Sequence, residues 1–552
     1  MKRCRVGWGL SGLLILFIIS ARGAENPAPA HAENTPNTTE LQQLRELLKK
    51  QQEQIDSLRG ALEQQQKLLE KAAATPITRP ATDSTDRMVA STTSILPPAV
   101  GAPAAKPQNV APGSSAAPTP LQIRIGDVGI MPVGFMDATL VWRNVNAGSG
   151  IGSNFAAVPY NNTNPGHLSE MRFSPQNSRL GFRVDGDWKG ARFLAYNEFD
   201  FLGTSGANNI GVTNGAFVPR LRLFWIDVRK GKYEVLAGQS WSMMTPNRKG
   251  ISPLPGDLFY SQVVDVNYMI GLPWSRQPGV RFLLHPSETF TLGLSVENPN
   301  QYVGGSAGGP QITPPASLSG LLGTQLDNGS TSPLSTPNLA PDIILKAAAD
   351  PSSRAHFEVA GMVRSFKVFN PNSSKTLTSN GFAGSFNANF ELVKNFRLVT
   401  NNFWSDGGGR YLFGTAPDVI IRGDGSLSPI HSAGFVEGFE ATIKNTLVYA
   451  YWGNVLIQRN TAIASDGKTV GYGYTGSPNN QNRTINEASA GFIQTLWKDA
   501  RYGALSFMGQ YEWLNRNPWF VAANAPKSAH DNTIYINLRY TLPGAPPAPA
   551  KK

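Results

Sequence analysis

The 552-residue chain has one cysteine, Cys4, so it carries no intramolecular disulfide framework and no cysteine-rich zinc site. It is also poor in charge: Asp, Glu, Lys and Arg make up 16 %, while Gly numbers 55 and Pro 41. Low charge with much glycine argues against a soluble helical protein, and aromatics at 10 % argue against a wholly disordered one. No segment past the N-terminus reaches the roughly 18 consecutive apolar residues of a spanning helix. The mean hydropathy of -0.23 does not exclude a transmembrane barrel, whose alternating strands average out.

Enzyme motifs are missing too. The six histidines, His31, His167, His285, His356, His431 and His530, form no HExxH and no close pair. There is no G-x-S-x-G, no Walker A and no zinc spacing, so no catalytic, metal or cofactor site is expected. The run at 148–152 (GSGIG) has no helix pattern after it and reads as a flexible loop. An outer-membrane esterase or protease is the enzymatic alternative, because its Ser, His and acid can lie far apart in sequence.

What is present comes in blocks. Lys2, Arg3 and Arg5 precede an apolar run from Leu10 to Ile19, and Ala21 and Gly23 supply small residues for cleavage. Residues 1–24 therefore read as an export signal, and Cys4 leaves with it. From Leu41 a seven-residue period holds: Leu41, Leu48, Ile55, Leu62 and Leu69 at a, and Leu44, Gln51, Leu58, Gln65 and Ala72 at d, where the two glutamines weaken the seam. Leu47, Ala61 and Leu68 at g widen the stripe, which favours three or more strands. This predicts a coiled coil over 37–74, placed in the periplasm, with one amphipathic helix packed on its own domain as the alternative. Residues 75–120 hold nine prolines among Ala, Ser and Thr and read as an extended linker.

From Leu121 short period-two segments recur. Leu180, Phe182 and Val184 oppose Arg179, Arg183 and Asp185. Phe193, Ala195, Phe199 and Phe201 oppose Arg192, Tyr196, Glu198 and Asp200. Phe357, Val359 and Val363 oppose His356, Glu358 and Arg364. Tight polar turns at 189–190, 230–231, 285–287, 350–353, 394–395, 444–445 and 498–499 alternate with eight Gly/Asn/Ser/Pro-rich stretches. Those lie near 144–176, 203–218, 242–275, 299–340, 367–380, 406–432, 459–484 and 515–529. Short turns alternating with long loops predict an all-β transmembrane barrel over 121–542, with about 16 antiparallel strands after the α-helical coiled coil. A Pro/Ala tail fills 543–552. A soluble sandwich or propeller is the alternative, but no blade repeat is visible.

From Leu121 onward there are 36 Lys and Arg against 28 Asp and Glu, and 22 of the 36 are Arg. A strand arginine on a lipid-facing midplane position costs about 2–4 kcal/mol, so strand arginines belong in the lumen. Arg179, Arg183, Arg192, Arg220, Arg222, Arg276, Arg281 and Arg364 are the pore-lining, anion-contact candidates, because guanidinium groups grip carboxylates bidentately. For any one of them, a wall ion pair with Glu198, Asp200 or Glu358 is the plainer reading. The stretch 242–275 is the third long loop. Its Pro246, Pro253 and Pro255 stiffen it, Phe259, Tyr260 and Tyr268 can pack inward, and Arg248 and Lys249 face Asp257 and Asp265 as constriction candidates.

Several stretches resemble the DcaP-like trimeric porins of bacterial outer membranes: Ser174-Pro-Gln-Asn-Ser-Arg-Leu-Gly-Phe182, Glu198-Phe-Asp-Phe201, Ala237-Gly-Gln-Ser-Trp241, Arg276-Gln-Pro-Gly-Val-Arg281, Glu297-Asn-Pro299 and the closing Arg539-Tyr540. Their order matches across essentially the whole mature chain. The resemblance implies a homotrimer in outer-membrane lipid, passing small, often anionic, hydrophilic solutes such as dicarboxylates by passive diffusion. It also implies a third loop folded into the lumen. Nucleic acid is not an expected partner, since the arginines are strand-spaced and the chain is exported. A phosphate-selective porin would want a dense lysine ladder, and only 14 Lys lie from Leu121 onward. An envelope tether or adhesin with a membrane barrel is the rival from another class.

Overall fold

The computed structural model describes Lys49 and residues 121–543, apart from 204–214, 216, 259–260, 305–310 and 327–338. The chain divides into two compact units, Met1–Thr85 and Asp86–Lys552. The export signal, the heptad segment with its leucine core, the linker and the Pro/Ala tail lie outside the described residues, save Lys49, which is helical.

From Val128 the alternation becomes sixteen strands. They are β1 Val128–Arg143, β2 Arg179–Trp188, β3 Ala191–Gly203, β4 Val218–Lys230, β5 Tyr233–Trp241, β6 Arg276–Ser287, β7 Phe290–Glu297 and β8 Asp342–Ser352. There follow β9 Ala355–Asn370, β10 Lys375–Val393, β11 Phe396–Asp406, β12 His431–Ile443, β13 Thr446–Ile457, β14 Asn482–Asp499, β15 Gly503–Pro518 and β16 Ala529–Thr541. A short piece, Glu170–Ser174, prolongs β2 along β1. Each strand pairs antiparallel with the next, and β16 returns to β1 from Phe135↔Thr541 to Arg143↔Thr533. The barrel is closed, which removes the free edges that an open sheet would leave in lipid.

Side chains sort by parity as the sequence pattern requires. Phe182, Phe224, Ile226, Phe282, Leu294, Leu345, Val359, Phe386 and Leu538 stand exposed on the outside. Their strand neighbours Arg183, Trp225, Arg281, Ser295, Lys346, Glu358, Asn387 and Asn537 are buried inside. Of the two tyrosines in the final strand, Tyr535 faces inward and is buried, and Tyr540 faces out. Seven short turns close one end of the barrel. At 189–190 and 444–445 the chain takes the left-handed conformations of a tight hairpin: φ is 49° at Lys189, 75° at Gly190 and 55° at Lys444.

At the other end the connections are long, with one correction. No long loop occupies 367–380. The β9 and β10 ladder continues unbroken to Asn370↔Lys375, leaving a four-residue tip. Asn, Pro and Ser at 370–374 do mark a turn, but the flanking residues keep alternating and so keep pairing. β9 outlasts its partner β8, whose register ends at Ile343↔Val363. Its open edge is capped by side chains instead. The Gln301 Oε1 accepts from Lys367 N at 2.6 Å, and Gln325 both accepts from and donates to the Phe369 backbone. The eighth connection is also shorter than read, because β15 runs on to Pro518. The sixth and seventh hold small hairpins, Val419–Ile421 with Leu427–Pro429 and Asn460–Ile463 with Thr469–Tyr472. Their apolar residues, among them Ile420, Ile421 and Tyr472, join Phe366, Tyr411 and Ile457 in one buried cluster.

Candidate functional site

Loop 3 (242–275) lies inside the lumen, bound to wall strands far from its own ends. Its backbone N–H groups donate to wall side chains: Asn247 to Glu358 on β9 at 3.2 Å, Gln262 to the Tyr451 hydroxyl on β13 at 3.0 Å, and Val264 to Gln510 on β15 at 2.6 Å. Ile270 N donates to Glu487 on β14 at 2.9 Å. Gly271, at φ 87°, passes so near β12 and β13 that a Cβ would sit 2.4 Å from Phe435 O. Only glycine allows that approach.

Of the constriction candidates, Arg248 and Asp265 do not oppose one another as the sequence suggested. Arg248 turns to the wall and pairs with Glu440 on β12, Nη2 to Oε1 at 2.6 Å and Nη1 to Oε2 at 3.0 Å. Asp265 is buried and accepts from Ser153 N and Asn267 N, so it serves loop geometry. Asp257 accepts from Ser252 Oγ at 2.9 Å, and Lys249 stands exposed. Tyr268 is buried, with its hydroxyl taking bonds from Arg179 and Arg222, both at 3.1 Å. Phe259 and Tyr260 lie outside the described residues.

Seven of the eight strand arginines face inward, while Arg276 has the parity of outward Pro278 and Phe282 and lies at the strand end over the Trp241 ring; they differ in what holds them. Arg220 and Arg222 share Asp200, at 2.6 and 2.8 Å, and Arg222 also takes Glu198 at 2.7 Å. A register break opposite Glu198 and Phe199 makes Arg222 an extra, bulged residue, which lets two arginines so close in sequence reach one carboxylate. Arg179 lies 3.8 Å from Glu198. Arg364 is far from this group, held by Asp418 at 3.0 Å and Asp342 at 3.6 Å. Arg281 is buried and Arg192 half-buried.

Two arginines stand apart. Arg183 is 1 % exposed, yet none of its three guanidinium nitrogens has a hydrogen-bond partner, and its nearest carboxylate contact is Asp185 at 3.8 Å. Arg276 lies over the Trp241 ring at 5.1 Å and leaves Nη1 unbonded. Beside it Trp241, Tyr268, Trp274 and Phe413 form an aromatic shelf, with Trp274 and Phe413 stacked at 4.7 Å. Sequence reading missed Arg539, which pairs with Asp137 and sits over Phe135 at 4.0 Å. Its parity with Tyr535 and Asn537 was the available signal.

The opposite half of the lumen is a network that holds loops. Lys346 on β8 bonds Glu358 at 2.8 Å with both side chains shielded from water, and also donates to Thr245 O and Asn247 Oδ1 of loop 3. His356 bridges Asp350 at 2.9 Å and Glu358 at 3.2 Å. Loop 1 (144–178), including the glycine run read as loose, also dips inside, where Ile151, Ser153 and Phe155 are buried. At the long-loop end, loop 6 (407–430) is locked by Arg410 to Asp342 at 3.2 Å and by the Tyr411 hydroxyl to the same carboxylate at 2.8 Å. Asp418 of that loop also accepts from Tyr302 N and Arg410 N. Burial pushes its carboxyl up to about 6, against the pull of Arg364.

No family model matches the chain, and no curated protein is similar to it in sequence. Among solved structures the chain resembles the outer membrane channel DcaP of Acinetobacter baumannii, with a TM-score of 0.56 at 15 % identity, covering 75 % of this chain and 97 % of that one. It also aligns with OmpF of Salmonella typhi, TM-score 0.42 at 9 % identity, over 76 % of this chain and 100 % of that one. The barrel with its apolar outer belt has the fold of a DcaP-like outer-membrane porin.

Proposed function

We propose that the protein is a porin of the bacterial outer membrane through which small hydrophilic solutes diffuse passively, with a bias to anions such as dicarboxylates. The observation that carries the reading is the pair of guanidiniums not consumed by wall carboxylates, Arg183 and Arg276. A guanidinium without acceptors costs desolvation energy; a carboxylate would supply the missing bonds at part-buried Arg276, and at covered Arg183 once neighbouring side chains move aside. Loop 3 narrows the lumen beside them and works as the constriction, with exposed Lys249 adding positive charge. The other strand arginines set a positive background even where they are paired, since a field acts beyond the contact pair. This is channel behaviour, with no bond made or broken.

Three chains associate, as the DcaP resemblance implies, and the heptad segment adds to their contact in the periplasm. Deleting 41–72 should leave a barrel that still inserts but has a trimer of lower thermal stability on non-denaturing gels. An unchanged trimer would mean the segment is a spacer. The reading of the site is tested by solute competition. Succinate should lower the chloride current through single channels of the full chain, and Arg183→Ser with Arg276→Ser should lose most of that effect. Equal inhibition in the double variant would move the anion site elsewhere.

A further inference from the structure

The wall of the lumen commits side chains to the main chain of loop 1. Arg143 donates to Gly150 O at 2.9 Å and Gly152 O at 3.2 Å. Asn482 donates to Ala156 O at 2.9 Å, and Arg516 to Val158 O at 2.7 Å. These anchors grip carbonyls, so they fix the path of the loop whatever its side chains are. The two inward loops are also tied to each other. Ser153 N donates to Asp265 of loop 3 at 3.0 Å, and Asn267 of loop 3 donates back to Ser153 O at 2.9 Å. A Cβ on Gly152 would lie 2.4 Å from Asn267 Nδ2 and 2.8 Å from Val266 Cγ2, so a side chain there would push these loop 3 side chains aside.

What loops 1 and 3 together cover is acidic. Ser153 Oγ donates to Glu512 on β15 at 2.6 Å, and Glu487 on β14 is closed off by Ile270 N of loop 3. Glu487 and Glu512 are both 0 % exposed, and Asp265 and Asp531 are fully covered as well. Arg143 stands among them, 3.8 Å from Asp531, so the covered zone is rich in carboxylates. Loop 3 also meets the arginine-bearing strands, where its Tyr268 hydroxyl takes bonds from Arg179 on β2 and Arg222 on β4.

We propose that loop 1 is a selectivity mask: its 150–158 stretch, clasped to loop 3, hides the acidic arc of β14 to β16 and confines solutes to the arginine wall. The proposal rests on the channel reading above and adds the element that decides which charges a solute meets. Exposed carboxylates would draw cations and repel the anions that the arginines attract. Covering them leaves the same barrel with the opposite preference. Loop 1 thereby determines specificity from the side of the lumen that solutes do not touch.

The test uses the full-length protein in planar bilayers under a salt gradient. Replacing 148–158 by a short Gly-Ser bridge should raise single-channel conductance about twofold and move the reversal potential toward cation preference. Gly152→Val, which only pushes the two loops apart, should move both readouts the same way by less. Adding Glu487→Gln and Glu512→Gln to the bridged variant should restore anion preference, while the same pair in the full chain should leave the reversal potential unchanged. The mask is overturned if a folded, heat-resistant bridged barrel keeps the reversal potential of the full chain, or if the two Gln changes shift it with loop 1 in place. A full chain without anion preference overturns the channel reading instead, and the mask is then judged by the shift on loop removal.

Discussion

The two halves of the lumen wall use charge in opposite ways. On β7 to β15 the buried ions are spent on structure: Lys346, Glu358, Glu440 and Glu512 each hold a loop segment or a loop side chain. On β2 to β6 the arginines outnumber what the wall needs, and Arg183 and Arg276 keep unbonded nitrogens under burial. The difference teaches that an inward charge does not by itself mark a solute path. A charge whose bonds are complete stabilises the fold, whereas a charge left incomplete is available to a ligand.

The largest effect that would sharpen the comparison belongs to the loop-holding half. Lys346→Met leaves Glu358 buried without its cation, and removing one partner of a buried pair costs about 3–5 kcal/mol. The variant should unfold at clearly lower denaturant and show noisy, enlarged single-channel currents as loop 3 loosens. Arg183→Ser should do the reverse, leaving the unfolding midpoint within experimental error while the succinate effect falls. A large stability loss in Arg183→Ser, with solute competition intact, would erase the distinction between the halves.

A smaller effect is expected from Arg276→Ser with Arg281→Ser. Reversal potentials should show weaker anion preference, with the trimer intact on gels. An unchanged potential would place the filter away from this level of the barrel.

The smallest effect concerns the loop 6 lock. The Asp418 carboxyl, raised to about 6 by burial, takes up its proton in the folded state before it would in an unfolded chain. Its contribution to stability is therefore present below about pH 4 and is lost as pH rises through about 6. Proteolysis within 407–430 should be slower at pH 5 than at pH 7.5, and Asp418→Asn should flatten that dependence. Faster cleavage at pH 5 would contradict the assignment.

Much of the barrel was legible in sequence because period two is a local property. Leu180 and Phe182 against Arg179 and Arg183 needs no knowledge of partners, and seven tight turns announce seven hairpins. The Asn-Pro-Asn-Ser-Ser tip at 370–374 misled because turn composition gives the position of a turn and not its length. The site was less legible because it depends on register. Arg222 reaches Asp200 and Glu198 only because a bulge shifts one strand, and nothing local to Arg222 announces a bulge. Which way a loop folds was hidden as well. The glycines at 148–152 looked loose, yet Gly152 lies in close contact with loop 3. Arg248 and Asp265 looked like an opposed pair, and each is satisfied by a residue far away in sequence, Glu440 and Ser153.

The central claim, an anion-biased channel along the arginine wall, meets its most direct test in the reversal potential of the full-length wild-type protein in a tenfold potassium chloride gradient. An anion-biased channel gives a potential displaced toward the chloride equilibrium value. A potential displaced toward the potassium equilibrium value would contradict it.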